Sequence, residues 1–348
     1  MEQRLIELWY QDAAAPSLLQ PLSWLYGAVS TARRNAYASG WLRMQEVGKP
    51  VIVVGNLTVG GTGKTPLVAW LAARLGEQGY RVGIVSRGYA RERGAHAVAR
   101  FVEPDSRWTE VGDEPLLLRR RTGCATVVAR DRVAGARALV AQGVDVVVAD
   151  DGLQHLRLAR ACEIVVVDGA RGFGNGRLLP AGPLREAVSR LAAADLVVIN
   201  GAADHPSLVK AGPQLLACAL QMSLNAHEAH RVCDGVRRPL EAFRGQRVHA
   251  VAGIGNPARF FRDLRTRGIE VIEHAFADHH PFAARELDFA DELPVLMTEK
   301  DAVKCSGFAN PRLWYVPVEA AFGEAHAREL LDQVVRRIRS PQVSEVSR

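Results

Sequence analysis

The run Val51-Ile-Val-Val-Gly-Asn-Leu-Thr58-Val59-Gly60-Gly61-Thr62-Gly63-Lys64-Thr65 carries residue types that bind phosphate. Glycines free the backbone to curl its N–H groups around phosphate oxygens. A helix opening at Lys64 and Thr65 adds the positive end of its dipole. Lys64 can then reach the β- and γ-phosphates, and the Thr65 hydroxyl can hold Mg²⁺. The pattern G-x-x-x-x-G-K-[ST] has glycine where this chain has Thr58, and a bare G-K-[ST] is a weak signal. Context carries the reading: an apolar strand, two further glycines, and a following helix with Leu67, Leu71 and Leu75 spaced by four. Residues Thr58 to Thr65 are therefore assigned to nucleotide phosphate.

Acidic partners follow at strand ends. Asp150 and Asp151 close the apolar run Val144–Ala149, on the edge of a parallel sheet that also holds a phosphate loop. They can serve Mg²⁺ directly or through its waters; the alternative is a solvated Asp-Asp-Gly turn. Asp113 and Glu114, in Gly112-Asp-Glu-Pro115, precede a helix, and spacing alone reads Asp113 as its cap. Asp168 is a third strand-end acid. His279 and His280, in Phe276-Ala-Asp-His-His-Pro-Phe282, fit a metal site, a proton relay or a polar turn, although zinc would want a third ligand nearby.

These side chains need a frame. Short apolar runs at Val51–Val54, Val82–Val85, Ala125–Ala129, Val144–Ala149, Ile164–Val167 and Leu196–Ile199 alternate with helical segments. That rhythm predicts an α/β fold with a P-loop NTPase-like parallel sheet and flanking helices over 49–225. A polar junction at Asn225–Arg244 precedes a smaller second α/β unit, expected over 226–340 from runs at Val248–Ala252, Ile269–Ile272, Val295–Thr298 and Trp314–Val316. Residues 341–348 read as a polar tail. Residues 1–48 differ: Trp9, Trp24 and Trp41 stand among leucines with Arg33, Arg34 and Arg43. This is an N-terminal helical arm, suited either to a membrane interface or to packing on its own domain.

At 348 residues, 48% hydrophobic and 24% charged, the composition is globular. The net charge of +6 suits an anionic partner without choosing one. Five scattered cysteines without a CxxC pair suggest a reduced chain rather than a disulfide framework. The N-terminus shows no signal peptide, and no stretch approaches the ~18–20 uncharged apolar residues of a membrane span.

With these residues in view, the chain resembles the lipid A 4′-kinases (tetraacyldisaccharide 4′-kinases) over nearly its full length. Eight ordered segments carry the likeness. Five lie in the first unit: the phosphate loop through Pro66, Ser86-Arg-Gly-Tyr89, Gly112–Pro115, Asp150-Asp-Gly-Leu-Gln-His155 and Pro180-Ala-Gly-Pro-Leu-Arg-Glu186. Three lie in the second: Ala252-Gly-Ile-Gly-Asn-Pro257, Phe276–His280 and Thr298-Glu-Lys-Asp301. Thr58 in place of glycine is itself what this family looks like.

The resemblance implies transfer of the ATP γ-phosphate to the 4′-hydroxyl of a tetraacylated glucosamine disaccharide 1-phosphate. It implies peripheral attachment to the cytoplasmic face of the inner membrane, in an organism that makes lipopolysaccharide, and gives the arm an acylated substrate to reach. By the same resemblance, Asp113 is the general base, overruling the capping reading, and His279 orients it across the two units. His279 is preferred to His280 because it directly follows Asp278. Lys64 serves the transferred phosphate; Thr65, Asp150, Asp151 and Glu114 serve Mg²⁺. Arg87, Arg91, Arg132 and Arg185 are cations available to the lipid phosphate.

Rival readings are weaker. The membrane-positioning switch ATPases, which act through a protein partner, carry a signature lysine where this chain has Val59. A GTPase would want a differently spaced Asn-Lys-x-Asp segment than Thr298–Asp301. Nucleic acid is not an expected partner, since no helix-turn-helix, zinc or RNA-recognition signature accompanies the basic charge.

Overall fold

The computed structural model describes residues 9–10, 17–88 and 99–340, so Tyr89 and Arg91 fall outside the described residues. Among the described residues of the arm, Gln20–Ala38 form a 19-residue helix, α1. The larger unit then starts with β1 (Val51–Gly55), α2 (Lys64–Glu77), β2 (Val82–Ser86) and β3 (Arg100–Phe101). It continues through α3 (Asp113–Thr122), β4 (Ala125–Val128), α4 (Arg132–Ala141), β5 (Val146–Asp150), β6 (Cys162–Asp168), β7 (Leu196–Asn200) and β8 (Leu220–Asn225).

The second unit follows with β9 (Glu228–Arg231), β10 (Arg237–Pro239), β11 (Arg247–Ala252), α5 (Pro257–Thr266) and β12 (Glu270–Ala275). It ends with β13 (Val295–Thr298), α6 (Glu299–Cys305) and β14 (Leu313–Val316); β15 (Glu319–Phe322) and α7 (Glu324–Arg339) come last.

The large sheet runs β15-β8-β7-β6-β1-β5-β2-β4-β3. Its interior pairings are parallel, while β15 and β3 join antiparallel at the two edges. Strand β1 is apolar at every position but the last because both its faces are covered. Ile52 and Val54 pack with Leu67, Leu71 and Leu75 of α2; Val51 and Val53 pack with Val133 and Leu139 around α4.

The smaller sheet runs β10-β9-β14-β13-β11-β12. Phe260, Phe261 and Leu264 of α5 cover one face of it.

Two expectations need correction. The segment read as a polar junction, 225–244, contains the β9/β10 hairpin, whose short polar strands lie at a sheet edge and give little apolar signal. The second unit also does not run to residue 340. Strand β15 pairs with β8, and Leu330, Val334 and Ile338 of α7 join the core under the large sheet. The chain thus crosses back, and α7 covers the part of that face beside α2, over β6 and β8.

The C-terminal strand ends of both sheets line one cleft of about 610 Å³. In parallel α/β sheets this edge gathers functional loops, and β1, between β5 and β6, sits near the centre.

Candidate active site

The phosphate loop leaves β1 at Gly55. Asn56 is fully buried, and its Nδ2 donates to the carbonyls of Thr58 at 2.7 Å and Gly60 at 3.4 Å. The left-handed turns fall on Gly60 and Gly63, with φ of 99° and 94°. Thr58 needs no such turn, so a β-branched residue fits where the general motif has glycine. A Cβ on Gly63 would stand 2.5 Å from Asn200 Nδ2, so space as well as φ requires glycine there.

Lys64 opens α2. Its Nζ donates to Asn56 Oδ1 at 3.0 Å and lies 3.4 Å from Asp151 Oδ1. Thr62, Thr65 and Val59 line the cleft beside it, with Gly61 between.

Asp150 and Asp151 stand at the end of β5, where the sequence placed them, but their surroundings differ. Asp151 has a positive φ of 49° and is paired with Arg185 at 3.1 Å as well as with Lys64. Burial works to raise its carboxyl, but the two cations outweigh it and hold Asp151 well below the usual carboxylate range. Asp150 is buried, and its Oδ1 has no hydrogen-bond partner. Burial, with the charges of Glu114 and Asp151, pushes it up to about 7.

Asp113 begins α3 and is 1% exposed. Its Oδ1 accepts from the N–H of the next residue, Glu114, at 2.9 Å; the cap position that spacing gave to Asp113 falls instead to Gly112, and no side chain caps the helix. The other oxygen crosses the cleft: His279 Nδ1 lies 2.8 Å from Asp113 Oδ2. His279 sits at a left-handed φ of 61°, fixed by its N–H on the Gly253 carbonyl at 3.2 Å. His280 turns instead to Glu286 at 3.1 Å.

Lys300, at the start of α6, is the residue that spacing missed. Its Nζ reaches Glu114 Oε1 and Asp278 Oδ1, each at 3.0 Å, and lies 3.4 Å from His279 Nε2. Burial opposes its charge, but Glu114, Asp113 and Asp278 hold the amine protonated well above its ordinary range. For Asp113, burial works to raise the carboxyl, yet Lys300 and the His279 hydrogen bond leave it below the usual value. His279 is raised: burial resists its charge, and the Asp113 bond more than offsets that. The signal for Lys300 lay in Thr298-Glu-Lys-Asp301, a segment that says nothing of its partners until α6 faces α3.

The remaining candidates divide. Arg185 holds Asp151, and Arg87 lines the cleft. Arg132 is 2% exposed and donates to the Ala129 carbonyl, which makes it a buried strut of the β4–α4 turn. Asp168 accepts from the N–H groups of Ala170 and Arg171, closing its own turn.

No group of three His, Cys, Asp or Glu among the described residues is placed to close on a metal ion. A Mg²⁺ that keeps water and phosphate oxygens does not need such a cage. The unpartnered Asp150 oxygen, crowded by Glu114 and Asp151, fits a cation of that kind.

The family described as tetraacyldisaccharide-1-P 4′-kinase matches residues 15–336. A tetraacyldisaccharide 4′-kinase of Alkalilimnicola ehrlichii is 53% identical over 92% of this chain and 93% of its own length. One of Stenotrophomonas maltophilia is 48% identical over 94% of this chain and 95% of its own. Among solved structures, LpxK from Aquifex aeolicus, described as an "apo" form in complex with ATP, superposes with a TM-score of 0.72 at 28% identity. That alignment covers 91% of this chain and 98% of the other.

Proposed function

The chain belongs to the tetraacyldisaccharide-1-P 4′-kinase family, and on that premise we propose how its cleft performs the transfer. The reaction is ATP-dependent phosphorylation of the 4′-hydroxyl of a tetraacyldisaccharide 1-phosphate, in lipid A biosynthesis.

In our reading, the loop from Thr58 to Thr65 holds the triphosphate. Lys64 exchanges Asn56 and Asp151 for the β- and γ-phosphates, where its charge lowers the cost of the transition state. Asp113 accepts the proton of the 4′-hydroxyl, using a lone pair left after its bonds to Glu114 and His279. His279 fixes the direction of that carboxylate. Phosphoryl transfer is loose, so the base acts late and its position matters more than its strength. Thr65, Asp150, Asp151 and Glu114 are the groups that would hold Mg²⁺, which supplies charge neutralisation at the transferring phosphate. The single observation that carries the reading is the 2.8 Å Asp113–His279 contact, made across the cleft that also holds the phosphate loop.

Leu22, Trp24, Leu25 and Val29 are exposed on α1, as are Leu18 in the turn before it and Trp41 just beyond it. The other side of the helix docks, with Ser23 Oγ on the Leu178 carbonyl at 2.8 Å and Tyr26 Oη on the Arg185 carbonyl at 3.0 Å. Such a stripe suits an interface in which the acylated acceptor resides. We therefore propose peripheral attachment at the cytoplasmic face of the inner membrane. No helix among the described residues is long and apolar enough to cross a bilayer.

The test is transfer of label from γ-labelled ATP to the tetraacyldisaccharide 1-phosphate in detergent micelles, with Asp113→Ala alongside. A labelled bisphosphorylated lipid, lost in the variant, is the expected result. ATP hydrolysis with no lipid product would overturn the reading in favour of a switch ATPase with a protein partner.

A further inference from the structure

Resting on the phosphate-loop reading above, we infer that Asn200 is a positioning residue, whose side-chain amide aims the Thr62–Gly63 peptide at the nucleotide and ties that aim to the second unit through Arg259.

Asn200 ends β7 and is 1% exposed. Its Nδ2 donates to the Thr62 carbonyl at 3.0 Å, and its Oδ1 accepts from Arg259 at 3.2 Å. The partners fix which way the amide lies, because a carbonyl can only accept and a guanidinium can only donate.

In a trans peptide the C=O and the next N–H point to opposite sides. Holding the Thr62 carbonyl against the strand ends therefore sends the Gly63 N–H the other way, into the concavity of the loop. Asn56 does the same for Thr58 and Gly60. Two buried amides thus turn the carbonyls of residues 58, 60 and 62 aside, which builds an anion-binding nest before any ligand arrives. The crowding at Gly63 is the imprint of that contact, since its missing Cβ would lie against Asn200 itself.

Arg259 makes this a coupling. It lies on α5 in the second unit and stands 3.9 Å from Asp168 as well. Nearby, Arg171 donates to the Gly255 carbonyl at 2.9 Å, and a Cβ on Gly255 would be 2.9 Å from Gly61 N. The second unit therefore rests on the phosphate loop at this point, and the Arg259 bond keeps the Asn200 amide from rotating away from Thr62. The ligand class is a nucleotide polyphosphate, recognised by its β-phosphate rather than its base.

The experiment titrates ADP and adenosine into the full chain in EDTA, by calorimetry. Asn200→Ala and Asn200→Asp should weaken ADP about tenfold or more and leave adenosine within about twofold. Arg259→Ala should weaken ADP less, and the double variant with Asn200→Ala should be no weaker than Asn200→Ala alone. Unchanged ADP affinity, or equal loss for both ligands, overturns the positioning role; full additivity in the double variant overturns the coupling. Should Asn200→Ala not fold, Asn200→Ser and the partly exposed Arg259→Ala are judged by the same ADP-to-adenosine ratio. Lys64→Ala in the same titration separates the two levels: if it too leaves ADP unaffected, the phosphate-loop reading itself fails.

Discussion

Asp113 and His279 are 166 residues apart in sequence, lie in different units, and meet at 2.8 Å between Oδ2 and Nδ1. The contact is paid for by a left-handed backbone at His279 and by burial of the Asp113 carboxyl. Strain of that kind costs on the order of 1–3 kcal/mol and persists only where the surroundings over-determine it.

If His279 orients Asp113, His279→Ala should lower kcat by roughly 10²-fold while the KM for ATP stays near the wild-type value. Steady-state kinetics in micelles would decide it. A variant with unchanged kcat would leave the contact as a structural tie between the units.

Lys64→Ala should abolish transfer and leave the fold intact, because Lys64 lines an open cleft and its partners Asn56 and Asp151 keep other contacts. Circular dichroism and thermal unfolding check the fold; the transfer assay checks the role. Full activity in the purified variant would remove the phosphate-loop assignment.

Lys300→Met should do two things at once. It strips the shared cation from Glu114 and Asp278 and leaves these two acids in repulsion with the buried Asp113. Breaking a largely buried ion pair costs about 3 kcal/mol, so the thermal midpoint should fall along with turnover. Lys300→Arg should restore part of both. A midpoint matching the wild type would show the cluster to be solvated rather than paired.

His155 gives a pH prediction. Burial, and then the charges of Arg132 and Arg87, lower its pKa from 6.5 to about 4. The folded chain therefore keeps it neutral while the unfolded chain binds a proton below 6.5. Its contribution to stability is present above pH 6.5 and is lost as pH falls through the window down to about 4. Denaturant unfolding across that window should show a shallower loss in His155→Gln than in the wild type. Identical slopes would mean that other groups govern the acid limb.

Replacing Leu22, Leu25 and Val29 together by serine should weaken sedimentation with anionic lipid vesicles and leave the thermal midpoint unchanged, since all three are more than half exposed. Undiminished sedimentation would place membrane contact elsewhere on the molecule.

The legible parts of this protein are those written in local chemistry. Gly60 through Thr65 spell a phosphate turn because backbone curvature there is a property of a few consecutive residues. Six runs of valine and isoleucine announce buried parallel strands, and the edge that holds Asp150, Asp168 and Asn200 follows from strand direction. The β9/β10 hairpin was hidden because its strands are short, polar and at an edge, and the return of β15 and α7 to the large sheet because amphipathicity does not name the face it will cover.

By itself the sequence determined the glycine-rich loop and the α/β alternation and, through its likeness to a family, singled out Asp113 and His279 as candidates. Only the tertiary structure decided what those residues touch. It set His279 rather than His280 on Asp113, placed Lys300 among Glu114, Asp278 and His279, and joined Asn200 to both Thr62 and Arg259. The physical reason is range. Backbone turns and strand propensity act over a few residues, whereas a charge cluster exists only once separate strand ends are brought within a few ångströms and water is excluded between them.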